Sequence, residues 1–271
     1  MNLKRFSISI LVLILFAVIG YSGHQLWDIH SSQAQESDLH NRLMQYHPLS
    51  QSSTSIESFA DDTSTLQTDD VSALQTNNAS SSQVIVNPSI VALQTNHSDV
   101  VGWLTVPNTE IDYPFVQGAD NNYYLHLDLD QRQSAAGTLF MDFRNNKDFS
   151  DFNTIIYGHH MRSGSMFGTL RLFDNPNFFD SNRSATIFLA NQTYEIEIMA
   201  FAVIKPNDAI IYNPIISTDT EKLAFINHVE SVARYSRDIG ITTDDRIVTL
   251  STCNYEFENA RMVLIGILVE P

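Results

Sequence analysis

The chain has 271 residues, enough for one good-sized domain with appendages or for two small domains. Hydrophobic residues at 43% and charged residues at 17% fit an ordinary globular core with polar extensions. A net charge of −16 argues against nucleic acid as a partner and against adhesion to anionic lipid head groups.

Lys4 and Arg5 precede an apolar run over residues 6–21, and no charge follows until Asp28. The run is roughly 16 residues, and counting on through Gly23, Leu26 and Trp27 brings it to about 20, the length a membrane span needs. Trp27 would then sit at the far interface, and the positive charge before the run sets the N-terminus inside. The expectation is a cytoplasmic stub and single-pass membrane anchor over residues 1–30, with the remainder extracellular. Ser32-Gln33-Ala34 has the small-x-small form of a signal-peptidase site, so a cleaved signal peptide is the competing reading.

Residues 31–86 are dominated by Ser, Thr, Gln, Asn and Asp, with few aromatics and no clear period. Such a segment buries too little apolar surface to offset its ordering entropy and is expected to be a flexible tether. A short helix within 38–46 is compatible with its sequence.

A folded domain is expected over residues 87–271. Pro88 opens a short helix. Short strands with turn signals then follow at 103–106, 112–116, 137–142, 154–157, 185–190 and 193–204. Pro114 marks an edge in the second of these. Thr218-Asp219-Thr220-Glu221 has the form of a capping box. Leu223, Ile226, Val229 and Ala233 recur behind it at helical spacing, with Gly240 as a stop. Two strands, 246–252 and 261–269, finish the chain. The class is mainly β, barrel-like, with peripheral helices.

The last two strands carry the chemistry. Alternation puts Ile247, Thr249, Ser251 and Cys253 on one face, with Cys253 at the strand's end. If the pair forms a hairpin, Arg261 at the start of the next strand lies at the same rim. A cation there favours thiolate over thiol, and a guanidinium can also hold the oxyanion of a tetrahedral intermediate. A cysteine acyl-transfer site needs a proton acceptor as well, and His159, at a strand end beside Gly158, is placed for it. Taken singly, Cys253 also reads as a small buried hydrophobe and Arg261 as a surface residue. The single cysteine excludes an intramolecular disulfide, and no metal-binding spacing or phosphate loop is present.

These residues resemble a known family. Thr249-Leu250-Ser251-Thr252-Cys253 resembles the Thr-Leu-x-Thr-Cys signature of sortases, and Arg261 follows at the family's distance. Tyr157-Gly158-His159 resembles the family's catalytic-histidine motif. Asn121-Asn122-Tyr123-Tyr124-Leu125, Phe140-Met141-Asp142 and Gly164-Ser165-Met166-Phe167 match as well, and the helix between the sixth and seventh strands is similar to that of class B sortases.

The resemblance implies an eight-stranded β-barrel and a cysteine transpeptidase without cofactor or metal. Cys253 would attack the carbonyl of a Thr in a sorting signal near the C-terminus of a surface protein. His159 would be the acid and base, and Arg261 would hold the oxyanion. Asn121, Tyr157 and Ser251 match positions lining the signal groove. The acceptor would be an amine of a peptidoglycan precursor or of a pilin lysine. The partners would therefore be signal-bearing surface proteins and the cell wall, with the membrane reached through the anchor. His160 stands where the family often has Asn, and if both imidazoles reached the groove, their joint protonation would be disfavoured.

Two other readings stand beside this one. A secreted cysteine peptidase shares the chemistry with water as acceptor, although such enzymes usually place the thiol at a helix start. A non-enzymatic adhesive domain suits the anchor, tether and acidic barrel but leaves Cys253, His159 and Arg261 unexplained.

Overall fold

The computed structural model describes residues 3–48, 87–253 and 260–269. Helix α1 spans Leu3–Leu43 and passes into a turn of 3-10 helix at Met44–Tyr46. Pro88 sits in the first turn of α2 (Pro88–Asn96), where its missing N–H costs no helical hydrogen bond. α2 presses Ile90 and Leu93, both fully buried, onto Trp103 and Val116. Burying each of these aliphatic side chains contributes roughly 1.5–3 kcal/mol.

The strands are β1 (Val100–Thr105), β2 (Asp112–Val116), β3 (Leu139–Met141), β4 (Asn153–His159), β5 (Ser184–Leu189), β6 (Thr193–Ile204), β7 (Ala233–Ser236), β8 (Ile247–Cys253) and β9 (Arg261–Val269). Their order is β5-β1-β2-β3-β4-β8-β9-β6-β7, and β5 also pairs with β6. That last pairing closes eight strands into a barrel. β7 lies outside the ring, continuing the edge of β6 beyond β5. The expected mainly β, eight-stranded barrel with helices is the observed fold.

Alternation along the strands fills the inside with Leu104, Phe115, Leu139, Ile156, Phe201, Leu250 and Leu264, and Phe167 joins them from the turn after β4. A second apolar layer lies outside the sheet, where α4 (Asp219–Val232) lays Phe225, Ile226 and Val229 over Ala202, Val263 and Ile265. The capping box is formed: the Thr218 hydroxyl accepts from the Glu221 amide at 3.3 Å, and the Glu221 carboxylate accepts from the Thr218 amide at 3.0 Å. The helix ends at Val232, well short of Gly240, because Ala233 turns extended and pairs with Ala202. Leu223, expected on the buried face, is exposed, and Phe225 takes its place.

Pro114 does not make β2 an edge strand. β2 is flanked by β1 and β3, but the β3 pairing begins only at Phe115, so the ladder on that side spares the proline. A short helix not foreseen from sequence, α3 (Pro176–Ser181), is capped by Asn175, whose side chain accepts from the Asn177 and Phe178 amides.

Two expectations about the N-terminal region are corrected. Among the described residues, no helix is long and apolar enough to cross a membrane, so the single-pass anchor and the cell-membrane localisation built on it are overturned. The start of the expected tether is helical as well. α1 runs past residue 31, and its end docks on the barrel through Leu39, Leu43 and Met44. Arg42 pairs with Asp130 at 2.9 Å, and His47 Nε2 donates to Asp112 at 3.0 Å. The remainder of the tether, 49–86, lies outside the described residues.

Candidate active site

β4 and β8 run parallel, in a register that continues to the last residue of each. Ile155 pairs with Thr249, Tyr157 with Ser251, and His159 with Cys253. The two strands therefore end together at one rim of the barrel. On its other side, β8 pairs antiparallel with β9, with Ser251 opposite Val263. Two further steps in the same register bring Cys253 level with Arg261, the first residue of β9. Three residues scattered along the chain are thus gathered at one rim by two strand pairings.

Gly158 allows β4 to run this far. A Cβ there would press on the Leu139 side chain and lie 2.9 Å from the Phe167 ring. His159 Nε2 donates to the Leu125 carbonyl at 2.7 Å. A carbonyl oxygen only accepts, so Nε2 carries a proton, and Nδ1 is the basic nitrogen of the neutral ring. Leu125 ends a 3-10 turn (Tyr123–Leu125) that is held by Asp120, which accepts from the Asn122 and Tyr123 amides.

A groove of about 280 Å³ runs below the rim, lined among others by Asn121, Leu125, Tyr157, Tyr212, Ser251 and Arg261. The three residues matched to the signal groove and the proposed oxyanion holder therefore share one cavity. Its floor is organised by a carboxylate to which sequence reading gave no role. Asp142 is fully buried and accepts from Asn121 at 3.0 Å, from the Tyr157 hydroxyl at 3.1 Å and from two Arg144 nitrogens at 2.8 Å each. Burial alone would raise this carboxyl's pKa, but the hydrogen bonds from Arg144 and Asn121 hold it below the ordinary range. Arg144 also donates to the Tyr212 carbonyl at 3.1 Å, tying down the segment between β6 and α4. Tyr212 stacks on Tyr157, and its hydroxyl lies 3.0 Å from the Ser251 hydroxyl. Phe140-Met141-Asp142 was the available signal for Asp142, whereas Tyr212 sits in a connection with no pattern of its own.

The adjacent histidines part company. His160 forms an isolated bridge with Met166 and lines a different cavity. The imidazole near His159 is that of His126, with ring centres 6.0 Å apart. Among the described residues, no group of His, Cys, Asp and Glu could hold a metal ion.

Residues 104–269, well over half of the chain, match the sortase domain family. The chain belongs to the sortase family. Sortase B of Listeria monocytogenes is 40% identical over 183 residues, covering 65% of this chain and 72% of that protein. Among solved structures, a Staphylococcus aureus sortase B–substrate complex superposes with a TM-score of 0.65 at 28% identity, covering 68% of this chain and 86% of that one. Sortase B from B. anthracis in complex with AAEK1 gives 0.64 at 35% identity, covering 69% and 86%. This sortase is therefore a cysteine transpeptidase of the class B type, acting in the sorting of surface proteins to cell-wall amines. The closed barrel agrees with that assignment.

Proposed function

We propose that residues 87–271 form the catalytic unit and that this sortase cleaves a C-terminal sorting signal after Thr. Cys253 is the nucleophile: its thiol proton passes to His159, its sulfur attacks the Thr carbonyl carbon, and a tetrahedral intermediate forms. Arg261 donates to the oxyanion, which is worth several kcal/mol at a water-poor site. The peptide C–N bond breaks, and His159 gives the leaving amine its proton. A cell-wall amine then attacks the thioester carbon, the C–S bond breaks, and the amine's proton passes to His159 as thiolate is regenerated. One amide is exchanged for another, with no oxidant, metal or cofactor in the balance.

The observation that carries this reading is the pairing of His159 with Cys253 above a groove that Arg261 lines. Asn121, Tyr157 and Ser251 are assigned to holding the signal in that groove, supported by the buried Asp142 that orders two of them. The acceptor is taken to be an amine of a peptidoglycan precursor, with a pilin lysine as the other source.

The test uses quenched fluorescent signal peptides, offered to the protein with and without amine acceptors beside Cys253→Ala. Cleavage that needs Cys253 and yields an amine-linked product supports the proposal. Hydrolysis alone, whatever amine is present, overturns the transfer step. Turnover surviving in Cys253→Ala overturns the nucleophile.

A further inference from the structure

A second cavity, of about 290 Å³, opens on the other side of β8. His160, Arg171, Asp174, Arg234, Thr252 and Met262 line it. Strand alternation explains the division: Ser251 and Arg261 line the groove, while Met262, the neighbour of Arg261, lines this cavity. Thr252 touches both. The two cavities therefore meet at the residue before Cys253.

The chemistry of the second cavity differs from that of the groove. Arg171 and Asp174 come from one 3-10 turn (Gly168–Asp174), and Arg234 comes from β7. Arg234 forms an ion pair with Asp174 in the cavity wall. Arg171 has no hydrogen bond or ion pair among the described residues. Among the described residues, two guanidiniums against one carboxylate leave a local excess of positive charge on a chain whose net charge is −16. Guanidinium forks match oxyanions, carboxylate or phosphate, in shape and charge.

A transpeptidase binds two substrates, and the groove is assigned above to one of them, the signal. We propose that the second cavity receives the incoming amine acceptor through an oxyanion on that acceptor, held by Arg171 and Arg234; this rests on the transfer reading above. The cavity's charge also suits the step itself. Positive charge nearby disfavours the ammonium form of the acceptor and so favours the neutral amine that attacks the thioester.

The experiment compares matched primary amines as acceptors for the full chain with a cleavable signal peptide. The pairs are 4-aminobutyrate against its amide and phosphoethanolamine against ethanolamine. The anionic member of at least one pair is expected to show an acceptor KM lower by about tenfold or more, the scale of a hydrogen bond to a charged group. Arg171→Gln and Arg234→Gln are each expected to narrow that gap severalfold, with the KM of the neutral member as the internal reference. The pair that shows the gap says whether carboxylate or phosphate is recognised. Equal KM values within both pairs, or a gap unchanged in both variants, overturn the proposal. If no signal peptide is turned over, the transfer reading fails separately. Calorimetric titration of the same amines into the full chain then decides the cavity's role: preference for the anionic member, lost in Arg171→Gln, sustains anion binding, and equal binding ends it.

Discussion

His159 and Cys253 are Cα partners at the final rung of the parallel β4–β8 ladder, so their separation is set by backbone hydrogen bonding rather than by a loop. Sites built on strands hold their geometry more tightly than sites on loops. The rim is thus rigid on the sides of the acid/base and the nucleophile, and Arg261 joins it from a third strand of the same sheet.

Arg261→Lys keeps the charge but loses the planar fork. Signal-peptide cleavage is expected to fall by about 10²–10³ in kcat, as on removal of an oxyanion donor, with a smaller change in KM. Steady-state kinetics with a signal peptide reads both. Wild-type kcat in this variant would remove the oxyanion role.

Asp142→Asn leaves Arg144 without its charged partner and weakens the hold on Asn121 and Tyr157. The expected loss is about 2 kcal/mol, less than for a fully buried pair because Arg144 remains partly solvated. That is roughly a 4–8 °C drop in Tm for a domain of this size. Signal KM is expected to rise more than kcat falls.

The same carboxyl predicts an acid dependence. Its folded pKa lies below the ordinary value, so the unfolded chain binds the proton more readily. The stability it confers is complete above the unfolded carboxylate range and is lost as pH falls toward the folded pKa. Urea unfolding from pH 7 downward is expected to show wild type and Asp142→Asn converging in the acid range. A constant difference between them would remove this assignment.

Gly158→Ala places a methyl group against Leu139 and Phe167. Overpacking of this kind costs about 1–3 kcal/mol. Because the shift falls next to His159, kcat is expected to fall together with Tm. A variant with lowered Tm and unaltered kcat would show that the rim tolerates the movement.

Asp112→Ala removes one oxygen that accepts from three donors: Trp103 Nε1 at 2.7 Å, Thr105 at 2.9 Å and His47 at 3.0 Å. The fully buried Trp103 would be left with an unmet N–H, a loss of about 1–3 kcal/mol. Amide hydrogen exchange across 39–47 is expected to quicken as the end of α1 loosens. Unchanged exchange there would mean that the apolar contacts of Leu39 and Leu43 suffice.

What could be read from the sequence followed the range of the interactions involved. The hairpin joining Cys253 and Arg261 is local, and the alternation of Thr249, Ser251 and Cys253 declares it. The Thr218–Glu221 capping box is equally local. The parallel pairing of β4 with β8 leaves no mark on either strand, since its register depends on residues far apart in the chain. A lone Asp142 after a short strand reads as a solvated turn residue, and only the folded chain brings Asn121, Tyr157 and Arg144 onto it. The docking of α1 was hidden by composition: Leu39, Leu43 and Met44 are too few, among polar neighbours, to announce a packed helix end.

The position of β8 and β9 in the ring also bears on how the chain acquires its shape. They are the last strands in sequence, yet they lie between β4 and β6. Until they insert, the flanking strands present bare edges, the kind of surface through which partly folded chains stick to one another. Closure must therefore await contacts of long sequence separation, which favours slow folding. A kinetic consequence is that His159 meets Cys253 only once the β4–β8 pairing has formed, so thiol reactivity that depends on His159 reports that long-range step during refolding.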